Sequence, residues 1–123
     1  MRKSDLHELT VIDLVERFAG ICVQQNKALF GDEIAKFNRL YDQMVAVESE
    51  LKSRPGDQRL ALLTLFSHRD LQVRLQAAKT TLAVAPNEAR RMIEAIAASN
   101  RFPQTGDAGM CLINLDRGIF VPE

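Results

Sequence analysis

The stretch Asp70-Leu71-Gln72-Val73-Arg74-Leu75-Gln76-Ala77-Ala78 constrains this chain more than any other. An aspartate, then Val-Arg three and four positions on, then two small residues, marks a helix that others approach closely. Asp70 offers a carboxylate to the free N–H groups of a first helical turn and suits the positive end of the helix dipole. Arg74 stands four residues later, spaced to pair with it. Val73, Ala77, Thr81 and Val84 fall on one side, and Leu71, Leu75, Ala78, Leu82 and Ala85 on another. A helix apolar over so wide an arc is covered by more than one neighbour. Only Gln72, Gln76, Lys79 and Thr80 form a stripe expected to be wet. The helix is expected to run to about Ala85.

The flanking segments repeat the helical pattern. Thr10 is placed to cap a long helix whose apolar positions are Val11, Leu14, Val15, Phe18, Ile21, Cys22 and Leu29, at spacings of three and four. Asp13 and Arg17 are spaced to pair on its far side. Gly31 is the expected stop, with Asp32 capping the next helix. That helix carries Ile34, Phe37, Tyr41, Met44 and Leu51 as its expected seam, with Lys36, Arg39, Gln43 and Glu50 on the solvent side. So short a connection predicts an antiparallel hairpin. Arg54-Pro55-Gly56-Asp57 breaks the chain. A shorter helix follows through Leu60 to Phe66, then the turn Ser67-His68-Arg69. Pro86 suits the first position of another helix, where its missing N–H costs nothing; Ala89, Met92, Ile93, Ile96 and Ala97 give its stripe. A last helix through Ala108, Cys111, Leu112 and Leu115 ends at Gly118, leaving Ile119, Phe120 and Val121 to pack as a tail. No period-two alternation appears, so the expected fold class is all-α, in a single domain over 1–123.

Composition narrows the function classes. Sixteen basic and sixteen acidic residues cancel, so the overall field favours neither nucleic acid nor a membrane surface. No run approaches the ~20 apolar residues of a membrane span, and the polar start Met1 to Glu8 is unlike a signal peptide. Cys22 and Cys111 are expected to be buried and reduced, which together with these features places the chain in the cytoplasm. Between Arg54 and Arg101 eight basic residues stand against four acidic ones, Asp57, Asp70, Glu88 and Glu94. Arg69, Lys79, Arg90 and Arg91 would form a basic patch if their helix ends converged. Scattered solvated cations are the simpler expectation, because nucleic-acid domains concentrate their charge and the chain has no tryptophan and one tyrosine for stacking.

No catalytic constellation emerges. His68-Arg69-Asp70-Leu71 copies the opening of a protein-kinase catalytic loop, yet Leu75 occupies the position that needs asparagine, and no Gly-rich loop or DFG is present. His7 lacks a second ligand at metal spacing and reads as part of a mobile terminus. His68 reads as a cap or a solvent-facing residue. Gly106 and Gly109 read as the start of a helix after Thr105, and Met44, Met92 and Met110 as core filler. No catalytic residue, metal or cofactor is expected.

From Leu62 to Phe66, through the turn at His68 to Asp70, to Val73-Arg74, Ala77-Ala78 and Pro86, the chain resembles a HEAT or armadillo-like repeat. The match covers about forty residues, one unit. In HEAT proteins such an aspartate and arginine tie adjacent repeats together, which would make Asp70, Val73, Arg74, Ala77 and Ala78 structural. More narrowly, the Leu14-Val15-Phe18 helix, this unit and the stretch Asp107 to Pro122 resemble a family of small bacterial proteins, the "domain of unknown function" family numbered two-zero-one-nine. The resemblance implies an armadillo-type α-α superhelix and no assigned activity.

The function expected is therefore non-enzymatic binding of another protein in a groove, with Lys36, Arg39 and Gln43 on one helix and Gln72, Gln76 and Lys79 on the next as contacts. A specific form is an immunity or antitoxin-like inhibitor of a toxin, an analogy of fold alone. Nucleic-acid binding through the middle basic region is a second class, and a ligand pocket between helices a third. A homodimer is compatible with apolar ends on a short stack.

Overall fold

A computed structural model describes residues 3–123; Met1 and Arg2, within the expected polar start, lie outside the described residues. The described chain is all-α, with no strand: α1 (Lys3–Leu6), α2 (Val11–Phe30), α3 (Ile34–Ser53), a 3-10 segment (Gln58–Ser67), α4 (Leu71–Thr81), α5 (Pro86–Ala97) and α6 (Gln104–Asp116). The backbone divides into two compact units, Met1–Ala61 and Leu62–Glu123.

In the first unit α2 packs along α3 as a hairpin. Thr10 caps α2 in a reciprocal box: its hydroxyl accepts from the Asp13 N–H at 3.1 Å, and the Asp13 carboxylate accepts from the Thr10 N–H at 3.4 Å. Asp13 is thus a capping residue, not the expected partner of Arg17. The turn also differs from expectation. Gly31 sits at φ −88°, and Asp32 takes the left-handed conformation at φ 56°. Asp32 therefore bends the chain, and Glu33 occupies the cap of α3 without a side-chain bond.

The seam buries Leu14, Phe18, Ile21, Cys22 and Ala28 of α2 against Leu40, Met44, Val47 and Leu51 of α3. Ile34 and Tyr41, expected there, are exposed, and Phe37 is half-buried. Spacings of three and four fit both sets, which share Met44 and Leu51. The aliphatic set is the one covered. Gln25, fully buried on α2, donates to the Met44 sulfur at 3.5 Å, and Cys22 lies 3.8 Å from the same atom.

In the second unit α4, α5 and α6 pack pairwise. Their core joins Leu71, Leu75, Ala78 and Leu82 to Ala89, Ile93 and Ile96 and to Ala108 and Cys111. Ala77 and Ala78 are fully buried, as close approach requires. Asp70 caps α4 as expected, its Oδ1 accepting from the N–H groups of Gln72 at 2.9 Å and Val73 at 3.2 Å. It does not pair with Arg74; the Arg74 Nε is buried without a hydrogen-bond partner. The Oδ1 of that carboxylate is turned to the backbone N–H groups of its own helix.

Helix α4 stops at Thr81, short of Ala85. The Thr81 hydroxyl donates back to the carbonyls of Ala77 and Ala78, a competition that weakens a helix end. Pro86 then opens α5 at its first position. The helix after Thr105 begins instead at Gln104; the Thr105 hydroxyl accepts from the Arg101 N–H at 2.8 Å and bonds the Ile96 carbonyl, tying the turn. Gly118, at φ 70°, turns the chain so that the N–H groups of Ile119 and Phe120 meet the Asn114 carbonyl. The tail is fastened through its backbone, while Ile119, Phe120 and Val121 stay exposed.

Candidate functional site

Helix α3 presents two different flanks. Lys36, Arg39 and Gln43 lie along one: Arg39 is exposed, and Lys36 and Gln43 are half-buried. Glu50, expected with them, is buried. Its carboxylate accepts from Arg54 Nε at 2.9 Å and lies 2.9 Å from His7 Nδ1. Arg54 also donates to the carbonyls of Leu6, at 3.0 Å, and His7, at 3.5 Å. His7 thus meets α3 through its ring and its carbonyl. Burying the Leu6 side chain brings the segment onto α3, where Glu50 can reach it.

The other flank of α3 is apolar and open. Ile34, Phe37, Tyr41 and Val45, at spacings of three and four, share one face. Ile34 is 68% exposed, and Tyr41 and Val45 are exposed beside it. At the hairpin turn Ala28, Leu29, Asp32, Glu33, Ile34 and Phe37 line a recess of about 90 Å³. Small-ligand pockets run to about 300–1,000 Å³, so this recess fits a single side chain. Phe30 projects next to it in the sequence, exposed.

At the opposite end of α3, burial pushes the Glu48 carboxyl above its ordinary range, and Arg59 and Lys52 pull it back in part. Arg59 holds Asp57 at 2.6 Å, and that bond keeps the Asp57 carboxyl below its ordinary range. The cluster ties the chain after the Pro55-Gly56 break and offers no open acid–base pair.

In the second unit the expected wet stripe of α4 is covered. Gln72 is 2% exposed and Gln76 5%, and Thr80 is buried as well. The Gln104 side-chain amide of α6 donates to Oε1 of Gln72 at 3.0 Å, and Lys79 meets Asp107 of α6 at 3.0 Å. Amides satisfy one another inside a fold, and the sequence signal for this pair is Gln104, a glutamine beside a helix start. Gln72 and Gln76 are thus interior residues, and Lys79 is committed to Asp107.

Of the four cations that a basic patch would need, two are paired. Arg90 pairs with Asp116 at 3.0 Å and Glu94 at 3.3 Å, and Lys79 with Asp107; Arg69 and Arg91 remain exposed. His68 Nδ1 accepts from the Asp70 N–H at 3.0 Å, which makes the ring part of the α4 cap. Burial pushes the Cys111 thiol above its ordinary range, with Lys79 opposing, so its thiolate is disfavoured as a nucleophile. Among the described residues no group of three or more His, Cys, Asp or Glu is placed to hold a metal ion, and no helix is long and apolar enough to cross a membrane.

A family model described as "Domain of unknown function (DUF2019)" matches residues 12–116. The chain is similar to a solved crystal structure, that of the protein RPA1889 from Rhodopseudomonas palustris CGA009, with 57% sequence identity and a TM-score of 0.94; the alignment covers 96% of this chain and 98% of that one. Among curated proteins none matches it.

Proposed function

The chain belongs to the DUF2019 family, and from that premise we propose that it is a non-enzymatic module that binds another protein through the outer face of its first hairpin. The observation that carries this reading is the apolar stripe Ile34, Phe37, Tyr41 and Val45, open beside a recess sized for one side chain. Soluble proteins scatter single apolar residues over their surfaces, but aligned ones with an aromatic and a small recess suit an anchored contact. Lys36, Arg39 and Gln43, the contacts expected from the sequence, lie on the opposite flank of α3 and stay outside this contact. In the finer form of this reading the helices continue the HEAT or armadillo-like pattern of the Asp70 to Ala78 segment as a short α-α superhelix.

Ile34→Asp tests the proposal. The side chain is exposed, so the variant keeps its helical circular-dichroism spectrum and its melting temperature. Wild-type protein, introduced at native level into its host and crosslinked through a photoreactive residue at Tyr41, is expected to give one stoichiometric adduct that Ile34→Asp loses. No adduct with the wild type, or one indifferent to the substitution, overturns the reading.

A further inference from the structure

The recess at the hairpin turn carries a charge pattern that narrows what can fill it. Ala28, Leu29, Ile34 and Phe37 give it apolar walls, and Asp32 and Glu33 complete the lining. Both acidic residues are exposed. Glu33 makes no side-chain bond to the first turn of α3. Its Oε1 is folded back over the turn, 3.0 Å from where a Cβ on Gly31 would stand. Among the described residues neither carboxylate meets a cation at ion-pair distance.

The cations nearest in sequence face elsewhere. Lys36 and Arg39 lie on the opposite flank of α3. At about 100° per residue, Lys27 stands on the far side of α2 from the buried Leu14, Phe18, Ile21 and Ala28. The α3 dipole favours negative charge at this end, which suits two carboxylates without giving them a counter-ion. A partner that covers the recess takes both out of water. An uncharged anchor would leave them uncompensated, and an unpaired charge is costly to desolvate. Lysine and arginine meet both demands, because their methylenes lie along apolar surface while the charged head stays at the mouth.

Taking the first hairpin as the face that binds another protein, we infer that the recess receives a lysine or arginine side chain of that protein. Its stem lies against Leu29, Ile34 and Phe37, and its cation sits beside Asp32 and Glu33. A recess of about 90 Å³ has room for one such stem. The occupant is a basic segment of another polypeptide, and the acidic pair selects its sign.

Random peptides displayed on phage and panned against the full chain supply the probe; those that Ile34→Asp fails to retain are bound by this face. They are expected to share a lysine or arginine. Replacing it with norleucine, which keeps the stem and removes the charge, is expected to weaken binding about three- to tenfold. Asp32→Asn combined with Glu33→Gln is expected to cause the same loss, and added salt to shrink it. Asparagine tolerates the left-handed turn at φ 56° as aspartate does, so the double variant keeps its helical circular-dichroism spectrum. Peptides that depend on Ile34 but anchor through leucine or phenylalanine, indifferent to the double substitution, overturn this assignment and leave the interaction face standing. Self-association of the chain that Ile34→Asp abolishes gives the recess to a second copy and overturns it as well. If no peptide distinguishes wild type from Ile34→Asp, the face and its occupant fall together.

Discussion

Single residues in this fold differ most from expectation where a polar group has two ways to be satisfied. The Asp70 carboxylate takes two N–H groups of its own helix, which leaves Arg74 without the partner its spacing promised. Asp13 makes the same choice at the start of α2. Glu48 shows the reverse case: burial raises its carboxyl pKa by more than the attraction of Arg59 and Lys52 lowers it. Its pKa is higher folded than unfolded, so the folded state gains from its protonation at low pH. That gain fades as pH rises from the unfolded value near 4.5 through the folded one. Glu48→Gln removes the loss. Urea melts are expected to place the variant above wild type at pH 7 and to show the two converging near pH 4. A wild type more stable than Glu48→Gln at pH 7 would mean that the Arg59 attraction dominates.

At the scale of elements, existence was legible and facing was not. The helical spans follow from periodicity plus punctuation: Thr10, Asp70 and Pro86 each start a helix where the sequence places one. Which face turns inward depends on neighbours that a local window does not contain. Ile34 and Tyr41 fit an α3 seam as well as Leu40 and Val47 do. Gln72 and Gln76 read as wet until Gln104 is brought across from α6. The 3-10 winding of Gln58–Ser67 likewise has no local signature, since Leu62 and Leu65 sit three apart in either helix type. The Gln72–Gln104 bond accordingly belongs to the α4–α6 pair. Gln104→Ala strands part of a buried amide on Gln72 and is expected to cost about 1–3 kcal/mol. A double-mutant cycle with Gln72→Ala should show a coupling of about 0.5 kcal/mol or more. Additive losses would mean that the bond contributes nothing.

For the molecule as a whole, charge was the property most directly readable. The balance of sixteen against sixteen persists locally, because the middle cations Lys79 and Arg90 are taken up by Asp107 and Asp116. Fluorescence anisotropy with a labelled DNA duplex is expected to show no binding even at low salt. Binding that falls steeply with added salt would instead reveal a concentrated cationic face. The candidate interaction surface was legible only in part. The sequence pointed to Lys36, Arg39 and Gln43, whereas the apolar side of the same helix was assigned to the core because hydrophobicity alone does not say whether a partner lies inside or outside the chain.

The clasp formed by Arg54 and Glu50 around Leu6 and His7 has a practical consequence for shortened versions of this protein. A version beginning at the Thr10 cap keeps both long helices, yet it leaves a hollow where Leu6 sat and strips the guanidinium of two carbonyl acceptors. The opening turn is thus a plug for the hairpin's open end, and a gene trimmed to its obvious helices would yield a looser hairpin.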